Sequence, residues 1–377
     1  MIITRGNCAA CGACISACPK QCIQMVEGSD GFLMPLVDNK SCIQCGRCQS
    51  ACPVNQRPKG ANWEDGTYYA LWANDAIRRK EGSSGGVFGL LADQVLERAG
   101  VVFGAAYSDD FKSVYQTSTD EILLIRLKKS KYVESNVGNV FTKVKTELDA
   151  GRFVLYCGTA CQIDGLINYL NGEYENLLTC DFLCHGVPAT GVFKKYICNL
   201  EARYGKVKHV DFRSKTYGWK SYCSRVEFES GKVYLRTKFL DPYLRIFFEN
   251  VALRKSCYEC GRLQQSNADI TLGDWWRVVN ADDVRDTDEG VSLVGVHTAK
   301  GLAAVEQLIA QNLCYSKLLT KEQYAYAYQP KSRKPAGREE NLHRILETEN
   351  LFQLPISLKK YLIGLIYETR ARMRTNK

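Results

Sequence analysis

Two cysteine runs near the N-terminus carry the clearest chemistry in this 377-residue chain. Cys8-x2-Cys11-x2-Cys14-x3-Cys18-Pro19 recurs as Cys42-x2-Cys45-x2-Cys48-x3-Cys52-Pro53. Three thiols on one tight loop reach three corners of an iron–sulfur cubane. The fourth corner falls to the last cysteine of the other run. The spacing therefore assigns one [4Fe–4S] cluster to Cys8, Cys11, Cys14 and Cys52, and a second to Cys42, Cys45, Cys48 and Cys18. Small residues between the ligands (Ala9, Ala10, Gly12, Ala13, Gly46) let backbone amides approach the sulfides. A zinc site uses two CxxC pairs or a Cys/His mixture instead.

Nine of the 18 cysteines lie beyond residue 60. Cys257-x2-Cys260 is a chelating pair, while Cys161 and Cys184 each follow a predicted strand. Loops at the carboxyl ends of parallel strands share one crevice, where these four thiols can meet as a third cluster. Alternatively, Cys161 and Cys184 are buried packing thiols and the CxxC stands alone. Spacing leaves both open. Cys22, Cys180, Cys198, Cys223 and Cys314 read as packing residues, and Cys157 fits either role. A Cys184–His185 nucleophile pair is disfavoured, because neighbours on a strand end point to different sides. Gly82-Ser83-Ser84-Gly85-Gly86 precedes a predicted helix and offers amides and hydroxyls to a phosphate. It is neither G-x-G-x-x-G nor a Walker loop, and by itself it reads as a turn.

The elements that must position these residues alternate. Strands are expected over 67–73, 101–107, 153–156 and 177–183, and helices over 86–98, 160–170, 190–204 and 300–311. A hairpin spans 224–237 around Ser230-Gly231. Strand–loop–helix repeats of this kind predict an α/β (mixed α+β) fold. The organisation expected is a small two-cluster ferredoxin-like domain (1–58), a linker (59–66) and an α/β domain. That domain spans 67–345, in parts 67–150 and 151–345, and a basic amphipathic helix follows within 346–377. The helix puts Leu358, Tyr361, Leu362, Leu365, Ile366 and Met373 on one face, expected to pack on its own domain, with a membrane surface as the other option.

Composition narrows the function classes. The chain is 45% apolar and 24% charged, which is globular rather than disordered. No apolar run approaches the roughly 18–20 residues of a membrane span. MIITRGNC lacks a signal-peptide apolar region, so a cytoplasmic protein without disulfides is expected. The formal charge of +9 suggests a polyanionic partner. Twelve cluster thiolates and their cores lower it to roughly +3, and a flavin dinucleotide to about +1. No basic-aromatic stripe supports nucleic acid. Basic residues near the clusters suit an acidic electron-carrier protein.

The ordered motifs resemble the coenzyme F-420 hydrogenase/dehydrogenase beta subunits from residue 5 to about 310. They are Ser83-Ser84-Gly85-Gly86, Gly100–Ala105, Ser130-Lys131-Tyr132-Val133, Gly158-Thr159-Ala160-Cys161-Gln162 and Cys184-His185-Gly186-Val187-Pro188. Phe212-Arg213-Ser214-Lys215 with Gly218-Trp219, Cys257–Cys260, Ile270–Trp276 and Gly290–Leu293 follow. The resemblance implies an FAD-binding domain with its own [4Fe–4S] cluster on Cys161, Cys184, Cys257 and Cys260. FAD is expected at Ser83, Ser84, Gly85, Gly86, Lys131, Gly158, Thr159, Gln162 and Gly186. For substrate, Lys215 is expected to bind a phosphate or carboxylate, Trp219 to stack on a ring and His185 to donate a proton. The bland alternative makes Trp219 core and Lys215 a surface charge. The activity implied is electron exchange between a two-electron substrate (reduced deazaflavin or another small molecule), FAD and clusters, toward ferredoxin or a catalytic partner protein. Alternatives are a pure relay protein and a reductase of bacterial polysaccharide biosynthesis. Ala160, Cys157 and Arg277 depart from the family pattern, which puts the Cys161 loop and deazaflavin specificity in question.

Overall fold

The duplicated cysteine runs fold as two matching halves around a hairpin of β1 (Ile23–Glu27) and β2 (Leu33–Val37). The computed structural model describes residues 7–59, 65–119, 123–262, 265–276, 288–327 and 333–375. Each half has one short helix, Ala13–Ser16 or Arg47–Ser50, entered through a glycine at left-handed φ (Gly12, +80°; Gly46, +76°). At Gly12 an added Cβ would also lie 2.5 Å from the Cβ of Val137, so glycine permits both the turn and the close contact with the body.

The body is built on a nine-stranded mixed sheet. Its strands are β3 (Thr67–Ala73), β4 (Val101–Tyr107), β5 (Val114–Thr119), β6 (Ser135–Asn136), β7 (Val154–Cys157) and β8 (Leu177–Phe182), then β12 (Ile270–Asp274), β13 (Ser292–Val296) and β14 (Cys314–Leu319). The order is β14-β3-β13-β12-β8-β7-β4-β5-β6, with β12, β8, β7 and β4 mutually parallel. A separate antiparallel sheet holds β9 (Val207–Ser214), β10 (Cys223–Phe228) and β11 (Val233–Thr237), with the hairpin turn at Ser230-Gly231. The fold is thus mixed α/β with an N-terminal ferredoxin-like module.

The central strands are apolar on both faces because both are covered. Helices Val87–Leu96 and Ala299–Ala310 pack against Leu71, Val102, Leu155 and Ile270 on one side. Helices Val140–Asp149 and Ala160–Leu170 cover Phe103, Val154 and Tyr156 on the other, and Cys11, Ala13 and Ala51 join that core. The ferredoxin module is therefore packed into the body. Arg254 clamps the joint: it pairs with buried Glu134 and donates to the carbonyls of Cys8 (3.1 Å) and Leu33 (2.6 Å), while Glu134 accepts from the Leu33 amide (2.8 Å).

Two expectations change. Helix Val87–Leu96 is shorter than the expected 86–98, because Ala99 takes the left-handed turn (φ 54°) before Gly100. The terminal helix, Leu358–Thr375, packs through Gly364, Tyr367 and Glu368, not through its apolar stripe. Gly364 lets the helix approach Leu240, the Tyr367 hydroxyl donates to the Lys220 carbonyl, and Glu368 pairs with Arg236 and Arg372. Leu358, Leu362, Ile366 and Met373 stay exposed. No described helix is long and apolar enough to cross a membrane. The stretch 318–345, polar and irregular in sequence, holds the end of β14 and helices Lys321–Ala327 and Arg338–Glu347. Most of the expected linker, residues 60–64, lies outside the described residues.

Candidate functional site: three thiol nests and a glycine loop

Thirteen thiols line three hollows, the twelve expected ligands and Cys22. Cys8, Cys11, Cys14 and Cys52 line one hollow, joined by Cys48. Cys18, Cys42, Cys45 and Cys48 line a second hollow, joined by Cys22. Each set of four assigned from the spacing lies on one hollow, with Cys48 bordering both. The first nest is the inner one, with Cys11 buried, and the second opens outward, with Cys45 exposed.

Cys161, Cys184, Cys257 and Cys260 share the third hollow. Cys161 sits in the first turn of helix Ala160–Leu170, whose start is held by a reciprocal Thr159–Gln162 capping box. Cys184 lies two residues past the end of β8, at the corner the parallel sheet provides. Cys257 lies on the short helix Lys255–Tyr258, and its sulfur accepts from the Val187 amide at 3.4 Å. Burial pushes the Cys184 thiol well above its usual range, and the nearby Cys257, Cys161 and Cys260 add to the shift. Burial likewise pushes Cys257 up to about 12. Thiols raised in this way become thiolates when a cationic core compensates their charge, as an iron–sulfur cluster does. The donor set fits that group. Among the described residues, no three His, Cys, Asp or Glu side chains converge on a single metal ion.

The first and third nests adjoin. The Cys161 sulfur is 4.0 Å from the Ala9 carbonyl, and a Cβ on Gly165 would lie 3.0 Å from the Cys11 sulfur. Arg262 bridges the same boundary, donating to Asp164 (2.5 Å) and to the Pro53 carbonyl (3.1 Å).

The glycine loop stands at the same end of the sheet, beside β3 and β13, with β12 between it and β8. Much of it is already engaged. Ser84 is buried and donates to the Val291 carbonyl (2.7 Å), the Gly85 amide donates to Ser292 Oγ (2.9 Å), and Ser83 accepts from the Ser130 amide (2.8 Å). A side chain on Gly85 would meet the Leu71 carbonyl at 2.3 Å. Ser84 and Gly85 are thus loop-packing positions. Gly86, at φ +89°, begins helix Val87–Leu96. Lys131 is half-buried, and its ammonium donates to the carbonyls of Lys128 (2.8 Å) and Lys129 (3.2 Å); desolvation pushes its pKa down to about 7. Thr159 and Gly186 line the third hollow, whereas Gln162 caps the helix and donates to Ser135 Oγ (2.9 Å). The Gly158 amide donates to the Cys180 carbonyl (3.1 Å).

Of the three substrate candidates, only His185 reaches the third hollow. Its Nε2 donates to Asn250 Oδ1 (2.7 Å), and burial lowers its pKa, which favours the neutral ring over a proton-donating imidazolium. Trp219 is fully buried and stacks on Trp276 at 4.3 Å, so it is core. Lys215 is neither a surface charge nor a crevice residue: its ammonium donates to the carbonyls of Arg79 and Ser84, both at 2.6 Å. Burial, then the cations Lys129, Arg213 and Arg79, push its pKa down to about 7.

Sequence reasoning also missed several residues. Arg213 binds Asp274 through two hydrogen bonds of 2.8 Å and donates to the Ser83 carbonyl (2.9 Å), tying the loop to the end of β12. Asp181, Thr271 and His297 form a hydrogen-bonded chain along the third hollow. Cys22 lies at the second nest and Cys198 is exposed, so neither is a packing thiol. Cys157 faces Cys180 across β7 and β8. Ala160 opens its helix without displacing Cys161 from the hollow, and Arg277 lies outside the described residues.

Residues 7–56 and 34–82 each match a 4Fe-4S dicluster domain, and residues 151–321 match the C-terminal part of the coenzyme F420 hydrogenase/dehydrogenase beta subunits. Residues 151–321 belong to that family. This matched segment carries the whole third nest, and the match leaves 83–150 outside it. A chain of the xenon-derivatised F420-reducing [NiFe] hydrogenase complex from Methanosarcina barkeri is 16% identical, with a TM-score of 0.45. The alignment covers 77% of this chain and 88% of that one. No curated protein matches. The chain is an iron–sulfur electron-transfer protein related to the F420 hydrogenase beta subunits, an oxidoreductase family.

Proposed function

We propose that this protein is a flavin- and iron–sulfur-dependent oxidoreductase linking a two-electron substrate to a one-electron protein partner. The observation that carries it is the third nest of four half-buried thiols, set directly against the inner nest of the ferredoxin module. Loaded, the nests supply one-electron carriers in a row, and FAD beside the third supplies exchange with a two-electron substrate. Arg254 and Arg262 hold the two modules in register. Arg213 and Lys215 hold the glycine loop at the same edge. The cations Arg79, Arg213 and Lys215, gathered around that loop, suit a ligand carrying phosphates. A small molecule such as reduced deazaflavin is the substrate class, and an acidic ferredoxin-like carrier or a catalytic protein of a larger complex is the partner.

A relay with no substrate of its own is the second reading. It is favoured by Trp219 and Lys215, both held within the body. Cofactor extraction with mass spectrometry, then anaerobic mixing with reduced deazaflavin, NADH, NADPH or reduced ferredoxin, separates the two. Bound FAD reduced by one of the two-electron donors upholds the enzyme reading. Reduction by ferredoxin alone favours the relay, and a chain without FAD ends the flavin assignment.

A further inference from the structure

Five thiols, not four, line the outer nest of the ferredoxin module. The fifth is Cys22, whose sulfur lies 3.4 Å from that of Cys18, with Cys42 as a second thiol neighbour. The chain is folded back to bring it there. The Gln21 amide donates to the Cys18 carbonyl (3.1 Å), closing a turn in which Gln21 takes left-handed φ (50°). The Cys22 carbonyl then accepts from the Asp38 amide at 2.8 Å, fixing its backbone beside β1. The inner nest has no counterpart at this offset: four residues after Cys52 stands Gln56, and its fifth thiol, Cys48, belongs to the outer ligand run.

We propose that Cys22 is a reserve ligand of the outer cluster, able to take the corner that Cys18 occupies. The exchange is a simple substitution at iron. Cys22 releases its thiol proton and its sulfur binds the iron as the bond to Cys18 breaks; the displaced Cys18 thiolate takes up a proton from water, with no change of oxidation state. It rests on the outer nest holding a four-iron cluster. Cluster content, not turnover, is therefore the readout.

Iron is counted in the anaerobically purified full chain and in Cys18→Ser, Cys22→Ser and Cys18→Ser/Cys22→Ser. Each single variant should keep the wild-type iron, and Cys18→Ser should alter the electron paramagnetic signal of one cluster. The double variant should lose about four irons. Loss of four irons from Cys18→Ser alone overturns the proposal, and the same loss from Cys22→Ser alone makes Cys22 the resident ligand and overturns it too. An empty third nest lowers every count equally, wild type included, and leaves these differences intact. If Cys18→Ser does not fold, the unmutated holoprotein is oxidised with ferricyanide and its peptides mapped. A Cys18–Cys22 disulfide is expected as the cluster is lost, and Cys22 recovered unpaired overturns the proposal.

Discussion

The sulfur of Cys161, on the first turn of a body helix, lies 4.0 Å from the carbonyl of Ala9 in the ferredoxin module. Two thiol nests assembled by distant parts of the chain are thereby neighbours. Gly165, one helical turn after Cys161, makes this possible, because a Cβ there would lie 3.0 Å from the Cys11 sulfur and 3.3 Å from the Ala13 Cβ. Gly165→Leu should push the module away and cost about 1–3 kcal/mol through overpacking. Electron passage between module and body should slow while iron content holds. Stopped-flow reduction together with a melting curve checks this, and unchanged values in both count against the joint.

Arg254 is the clamp of the same joint. Glu134 beneath it is 2% exposed at its side chain and would be left charged and unpaired in Arg254→Met. Removing one partner of such a buried pair costs about 3–5 kcal/mol. Anaerobic denaturant unfolding should report a loss of that order, with early proteolytic release of the module. A loss below about 1 kcal/mol would place the clamp elsewhere.

Asp181 sets a pH dependence. Burial pushes its carboxyl from 3.8 up to about 7, against hydrogen bonds from Thr271 (2.5 Å) and Ser266 (2.9 Å). Between these values the folded protein keeps a proton that the unfolded chain has released. Stability contributed by this group is present below about pH 4 and is lost as the pH rises toward 7, at up to about 1.4 kcal/mol per unit. Asp181→Asn should therefore gain on the wild type between about pH 5 and pH 8. Parallel melting curves for the two proteins would mean that Asp181 is ionised throughout.

Lys215 is expected to act through the glycine loop. Lys215→Ala leaves the carbonyls of Arg79 and Ser84 without their donor, costing about 1–3 kcal/mol. FAD content should fall together with melting temperature. A stable variant that keeps FAD and loses only substrate-driven reduction would return Lys215 to the substrate site.

The sequence made the two module nests legible because their ligands are local: six of the eight fall into two short loops, and the exchange of Cys18 and Cys52 follows from geometry. The edges of β3 and β4 and the start of helix Ala160–Leu170 were readable from apolar runs and the Thr159 corner. Long-range partners were not. Nothing local links Arg254 to Glu134, 120 positions away, or Lys215 to the back of the glycine loop. Trp219 and Lys215 looked available because residue type alone does not report burial. The terminal helix misled in the opposite direction, since periodicity marks an apolar face without saying what covers it.

Iron counting in anaerobically purified wild type, Cys260→Ser and Cys314→Ser tests the three-nest account most directly. Wild type should hold about twelve irons per chain, from three four-iron clusters. Cys260→Ser should hold about eight, and Cys314→Ser, altered at a buried thiol of β14 away from every nest, should keep about twelve. A wild-type count of about eight, unchanged in Cys260→Ser, would contradict the third cluster and with it the proposed route through the body.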